Sequence, residues 1–376
     1  MTDRRARAKS PSPKWGFGVV VVVVLLLGAW PVTGQELGLA AVRSQFPLDQ
    51  LVLALSPEGA GTLSQGKIQL SLSASWSNTF VMSSEVEDWV RTRGPGRRPL
   101  GGDEVRQIEA LYPGRDLYFI DGEYLRWDIR AEYGLSNRLQ LTLTTAVLSP
   151  GGGFGDSAIE SFHDLVNTGN AHRDLFPQDH FQMYLRSKTG SFFANGVSSH
   201  TVMGDTTLGL KLRAQSLWHG WLGAVAATVK APTGDDENFG GSGSWDAQLA
   251  GYASRKVGAG FLHVNLAYTS IGGINTPSVL DTNDVWAVAG GYEIWSPHHR
   301  VNWLLQTTIS TSMFQDATDS NLSDTSYLVF IGARLPMGAR DRLMFGLAEN
   351  IINFDNSADI ALHVAYSHTF DLASGN

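Results

Sequence analysis

Residues 123–147 read Glu123-Tyr-Leu-Arg-Trp-Asp-Ile-Arg-Ala-Glu-Tyr133, then Gly134-Leu-Ser-Asn-Arg138, then Leu139-Gln-Leu-Thr-Leu-Thr-Thr-Ala-Val147. In the first run Leu125, Trp127, Ile129, Ala131 and Tyr133 are apolar, while Tyr124, Arg126, Asp128, Arg130 and Glu132 are polar. Leu139, Leu141, Leu143, Thr145 and Val147 continue the alternation after the break. A period of two places each set on one face of a strand. Two such runs around Gly, Ser and Asn predict a hairpin. Ordinary strands hold about five or six residues, whereas a strand tilted across a bilayer needs about 9–11. Runs of this length, with one apolar and one charged face, fit a wall between lipid and a wet lumen. A soluble antiparallel sheet with one wet face is the alternative.

The rest of the chain repeats the pattern. Ile68, Leu70, Leu72, Ala74 and Trp76 alternate with Gln69, Ser71, Ser73 and Ser75. Further alternating runs lie near 208–213, 221–231, 245–254, 261–270, 285–294, 301–313, 327–335, 343–354 and 360–370. Short connections near 216–219, 256–260, 296–299 and 336–341 interleave with long polar ones at 232–243, 272–284 and 315–326. Outer-membrane barrels sort tight periplasmic turns and long outer loops in this way. A soluble sandwich has no reason to sort its loops by length. The expected fold is all-β: a transmembrane antiparallel up-and-down β-barrel of about 12 strands with long extracellular loops. Residues 66–370 form the barrel, with 149–203 as its longest extracellular loop. Short helices are expected at 86–90, 103–112 and 157–166, and a small hairpin at 181–188 and 191–195. Trp76, Trp127, Tyr133, Trp221, Trp245, Tyr292 and Tyr327 are expected as interfacial girdles.

The ends carry address information. Arg4, Arg5, Arg7, Lys9 and Lys14 precede an unbroken apolar run at 19–27, and small residues lie before Gln35. This pattern predicts a cleaved signal peptide over 1–34; an uncleaved inner-membrane anchor is the alternative, but the run is short for one. Its removal takes the formal charge from −8 to about −12, because five basic residues and Asp3 leave. An acidic chain argues against nucleic acid as a partner. Residues 35–65, with Pro47, Pro57, Gly59 and Gly61, are poorly patterned and are expected as a periplasmic N-terminal segment partly tucked into the barrel. The final strand ends in Tyr366, His368 and Phe370, similar to the sorting signal of outer-membrane proteins, with 371–376 as a C-terminal tail. The location that follows is the cell outer membrane. The partners that follow are outer-membrane lipid and lipopolysaccharide, the barrel-assembly machinery and a small solute.

Sites for covalent chemistry are few. The chain has no cysteine, and no nucleophile elbow, His-Glu-x-x-His or phosphate loop occurs. No catalytic residue, cofactor or metal is assigned. In the long loop, Asp156, His163, Asp164 and Arg173 are the candidates. His163-Asp164 near Ser157 and Ser161 could serve a lipid hydrolase, or could pin the loop and its helix across the lumen. Arg126, Asp128, Arg130 and Glu132, with Lys211 and Arg213, form the candidate lumen network, which would pair across the barrel and fill it or line a narrow aqueous path. Lys230-Ala-Pro-Thr-Gly-Asp235 reads as structural punctuation where a strand leaves the membrane.

Several of these segments resemble an uncharacterised family of bacterial outer-membrane proteins, DUF3187. The resemblance is carried by Asp121-Gly-Glu through Arg126, Tyr133-Gly-Leu-Ser-Asn-Arg138, and Gly153-Phe-Gly-Asp156 with Ile159, Phe162-His163, Arg173 and Pro177. Gly204-Asp205, Leu208-Gly-Leu-Lys211 and Pro232-Thr-Gly-Asp235 also fit. The resemblance implies a location and a fold, and no activity. The function expected is a narrow channel or uptake pore with the 149–203 loop as lid or plug; the alternatives are a lipid-modifying hydrolase and a structural or partner-binding barrel.

Overall fold

The computed structural model describes residues 38–166, 169–196, 201–214, 220–276, 279–294, 301–352 and 356–371. The expected signal peptide, the turns at 216–219 and 296–299, and the tail beyond Asp371 lie outside them. Strand β1 (Lys67–Met82) pairs antiparallel with β2 (Leu117–Gly134), which pairs with β3 (Leu139–Gly151). A hairpin, β4 (Gln182–Ser187) and β5 (Gly190–Asn195), adds to the outer end of β2. The wall continues from β3 through β6 (Val202–Arg213), β7 (Leu222–Ala231), β8 (Asp246–Val257) and β9 (Gly260–Ile271). It is completed by β10 (Val285–Ile294), β11 (Asn302–Ser310), β12 (Ser326–Pro336), β13 (Asp341–Asn350) and β14 (Ile360–Asp371). Strand β14 pairs with β1 from Lys67↔Asp371 to Asn78↔Ile360 and closes the ring. Leaving out the β4–β5 hairpin, twelve strands form the barrel.

The alternation decides which side is which. Leu72, Ile129, Leu210, Leu266, Ile331 and Val364 are exposed on the outside. In water so continuous an apolar exterior would drive association; in lipid it is the natural surface of a closed sheet, which satisfies its backbone by pairing each strand with its neighbours. The founding hairpin forms as expected: the Ser136 hydroxyl accepts the backbone N–H groups of Arg138 and Leu139, which fixes the turn. Inside β12 and β13, glycine serves packing. The Phe330 ring lies over Gly332 and Gly346, where an added Cβ would approach it to 2.5 and 2.4 Å.

The N-terminal segment is not chiefly periplasmic. From Gly38 it rises through the lumen, turns at Phe46–Val52 near the outer mouth and descends to Leu63. Gln306 on β11 holds both polar groups of the Ala40 backbone, at 2.9 and 3.1 Å. Asp246 at the outer end of β8 accepts Leu53 N–H at 2.8 Å. Asn265 on β9 clasps Glu58, and Ser254 and Gln140 accept the N–H groups of Ala60 and Leu63. Room for the two passes comes from small inward residues: Ala224, Ala226, Ala250, Ala267, Ala287 and Ala289 pack with Leu39, Val42 and Leu55. A backbone traversing an apolar cavity needs its polar groups satisfied. Lumen amides, carboxylates and hydroxyls supply that.

The outer mouth is sealed by a second apolar cluster. Phe46, Leu48 and Leu51 meet Phe181 and Met183 at the start of the long loop's hairpin, Phe239, and Met313 and Phe314. The long loop therefore contributes its hairpin to the cap. Its earlier part does something else: Phe154 stacks on Trp76, a wall residue on the lipid-facing side, with centroids 5.7 Å apart. That part covers the outside of β1 and β2, and of the long loop only the β4–β5 hairpin packs at the mouth. Helices α1 (Ser84–Val90), α2 (Gly102–Leu111) and α3 (Asp156–Val166) form near the expected positions. Val86, Val90 and Ile108 of α1 and α2 pack with Phe80, Phe119 and Phe176. Short α4 (Ser320–Ser323) begins at Asp319, whose side chain accepts two backbone N–H groups.

Candidate functional site

The inward charges of β2 pair along their own strand and with the plug. Arg126 meets Asp128 at 2.8 Å and donates to the Gln50 carbonyl at 3.3 Å. Arg130 meets Glu132 at 2.9 Å and Glu58 of the plug at 3.2 Å. Lys211 on β6 reaches Glu58 at 3.3 Å and the Gly59 carbonyl at 2.5 Å, with Tyr252 beneath its ammonium group. Five of the six expected lumen residues therefore fall into two groups, the Arg126–Asp128 pair and the Arg130–Glu132–Glu58–Lys211 cluster, and Glu58 is the member that sequence reasoning missed. Arg213 stands apart at the periplasmic rim, donating to the Asn137 turn carbonyl.

Between the plug and the wall, from β12 through β14, β1, β2, β3 and β6 to β8, lies a cavity of ≈ 520 Å³. Arg126, Arg130, Glu132, Lys211, Arg342 and His363 line it, with hydroxyls from Ser71, Ser73, Thr142 and Thr144. Arg334, which also borders the cavity, pairs with Glu293 at 2.6 Å and donates to the Gly38 carbonyl of the plug. The barrel interior thus combines apolar packing around the plug with an open, charge-lined cavity beside it.

Two buried polar knots at the outer rim hold the loops and the plug. Lys230 donates to Asp205 at 2.5 Å, to the Ser242 hydroxyl at 2.6 Å and to the Ser244 carbonyl, with Asp246 at 3.4 Å. Asp205 also accepts Gly234 N–H, and Asp246 accepts from the plug at Leu53. The Lys230–Asp235 stretch is therefore more than a strand ending, because its lysine joins three strands, a loop and the plug tip. In the second knot Arg173 donates to Asp156 at 2.9 Å, to Asn78 at 2.8 Å and to Asp359. Asn78 in turn donates to Asp156 and Glu123. Glu123 further accepts the Trp76 indole and the N–H groups of Phe154 and Gly155. Gly153 and Gly155 are needed there, since an added Cβ would lie 1.9 and 2.7 Å from the Glu123 carboxylate.

Of the long-loop candidates, Asp156 and Arg173 meet in this knot, and His163 and Asp164 lie away from it. His163 Nδ1 is 3.2 Å from Asn170 Oδ1, and Asp164 accepts from the amide of the same Asn170. The Ser161 hydroxyl donates to the Ser157 carbonyl. Among the described residues these groups form no contact of hydroxyl to imidazole. Tyr366 and His368 both meet Asp341, at 2.5 and 2.6 Å, on the outside of the wall, and His368 packs against Phe370.

The residues of both knots lie largely within the match to one family model, which spans 106–370 and is described as a protein of unknown function (DUF3187). The chain belongs to the DUF3187 family. No curated protein matches it. Among solved structures this DUF3187 barrel is similar to the COG4313 outer membrane channel from Pseudomonas putida F1, at 11% identity over 84% of this chain and 100% of that one, with a TM-score of 0.49. It is similar to the translocator domain of the autotransporter NalP from Neisseria meningitidis, at 10% identity over 82% of this chain and 90% of that one, with a TM-score of 0.37. A third similarity is to the TodX deltaS2S3 mutant monoaromatic hydrocarbon channel, at 8% identity over 89% and 99% of the two chains, with a TM-score of 0.37. Its closed sheet and apolar exterior make the DUF3187 chain an outer-membrane β-barrel.

Proposed function

We propose that this barrel is a narrow channel for small polar solutes, held shut by its own N-terminal segment. The observation that carries the reading is the charge-lined cavity of ≈ 520 Å³ beside the plug. A barrel built only to be rigid has no use for an open charge-lined cavity, and twelve strands leave too little room for a wide general pore. Passage then requires the two lumenal passes to shift from their seats on Gln306, Asn265 and Asp246. The chain is read as exported through cleavage of a signal peptide over 1–34 and inserted by the barrel-assembly machinery, with lipopolysaccharide around its outer half. It is read as not an enzyme. The hydrolase alternative has less support, because His163 and Asp164 meet through Asn170 rather than through a nucleophile.

The test is single-channel conductance of the mature chain in a planar bilayer, beside a Gln306→Ala/Asn265→Ala variant that loosens the plug. The expected result is rare, brief openings for the native chain and frequent ohmic openings for the variant. Silence from both after confirmed insertion overturns the channel reading and favours a structural barrel.

A further inference from the structure

We propose that α3 is an interfacial helix whose exposed apolar stripe is inserted among the acyl chains of the outer leaflet. In a helix packed on a soluble protein, apolar residues face the protein and polar ones face water. Helix α3 is inverted. Ala158, Phe162 and Leu165 follow one another at spacings of four and three residues and share a face. All three are exposed, Phe162 to 59% and Leu165 to 83%. The partly covered side carries Glu160, whose carboxylate accepts from Arg97 at 2.8 and 2.9 Å and from Gln178 at 2.7 Å. The helix is therefore tied to the loops by its polar side and presents its apolar side outward.

Its position identifies the occupant. Trp76 faces the same side of β1 as Leu70 and Leu72, and its register partner on β14, Leu362, is exposed on the same belt. Residues 68–76 are about the length that crosses a bilayer, so Trp76 marks the outer edge of the belt. Phe154, itself 75% exposed, stacks on Trp76, and the chain is pinned at once by Gly155 N–H on Glu123 and by Asp156 on Asn78. Helix α3 begins at that pin. The stripe of Phe154, Ala158, Phe162 and Leu165 is thus continuous with the lipid-facing surface of the barrel. A lipid surface is the partner that meets such a stripe at that height.

The chain has no cysteine, so single spin labels can be placed without altering other sites. Phe162→Cys, Leu165→Cys and Asp164→Cys variants of the mature protein would be labelled and reconstituted in phosphatidylethanolamine–phosphatidylglycerol vesicles. Asp164 lies on the exposed polar flank of the helix and is the internal control. Collision with oxygen, which partitions into lipid, is compared with collision with a water-soluble nickel chelate. The expected result is an oxygen-to-nickel ratio several-fold higher at 162 and 165 than at 164. Equal, nickel-dominated values at all three sites would place α3 in water and overturn the proposal. Loss of both collisions at 162 and 165 with dipolar broadening would indicate a second copy on the stripe and would overturn it as well.

Discussion

Lys230 shows how much one buried side chain can hold. Its side chain is 3% exposed, and the ammonium group lies between Asp205 and Asp246, with two serine groups completing its shell. Removing one partner of a buried ion pair leaves charge unpaired and costs about 3–5 kcal/mol. Lys230→Ala is therefore expected to lower the free energy of unfolding in detergent micelles by about that much, read from the urea midpoint at unchanged slope. Asp246 loses its cation in the same variant while still accepting from Leu53, so the plug tip should also show faster amide exchange. Glycine acts at this scale too. Gly38 has φ +94, and an added Cβ would lie 2.3 Å from the Gly59 nitrogen, where the two plug passes touch. Gly38→Ala is expected to separate the passes and raise channel open probability without changing barrel insertion, measured in the same bilayer assay.

At the scale of elements, the long loop is two devices joined in sequence. Its β4–β5 hairpin caps the mouth, and α3 lies against the outer wall. The Glu160 tether gives α3 a pH dependence with a definite sign. Burial raises the Glu160 carboxyl, but hydrogen bonds from Arg97 and Gln178 and the Arg97 charge outweigh burial and hold it below its usual range. A carboxyl lowered on folding contributes stability above its unfolded value, and that contribution is lost as pH falls through the lower folded value. Amide exchange across 156–166, compared after correction for intrinsic rates, should therefore speed up as pH drops below the ordinary glutamate range. Arg97→Gln should remove the step. A pH-independent profile in the native chain would dissociate the tether from the helix.

For the whole molecule, the two faces of the wall carry opposite tolerances. Val364 is exposed in the middle of β14, whereas Ser367 lines the cavity. Val364→Arg places a charge in lipid and should cost about 2–4 kcal/mol. Ser367→Arg should cost about 0.5 kcal/mol or less and instead change the ion selectivity of the open state. Reversible denaturant titration in vesicles reads the first outcome, and reversal potentials in a salt gradient read the second.

The sequence alone determined the wall. Period-two alternation from β1 to β14, over lengths suited to a bilayer, fixes which side chains face lipid, and the sorting of short and long connections fixes the up-and-down order. Both are local properties, since a strand's faces follow from its own residues. The lumen was legible only in part. Arg126, Asp128, Arg130, Glu132 and Lys211 stood out as inward charges, but Glu58, the partner of Arg130 and Lys211, lies in a segment with no periodicity, because a plug is shaped by the cavity it fills. The run of inward alanines on β7 to β10 was the available signal that something else occupied the lumen beside them. Arg173, Asp156 and Glu123 likewise come together from distant positions on the outside of the wall. Only the tertiary structure decided where these groups and the apolar stripe of α3 lie, because which surface a loop lands on depends on pairing between residues far apart in the chain.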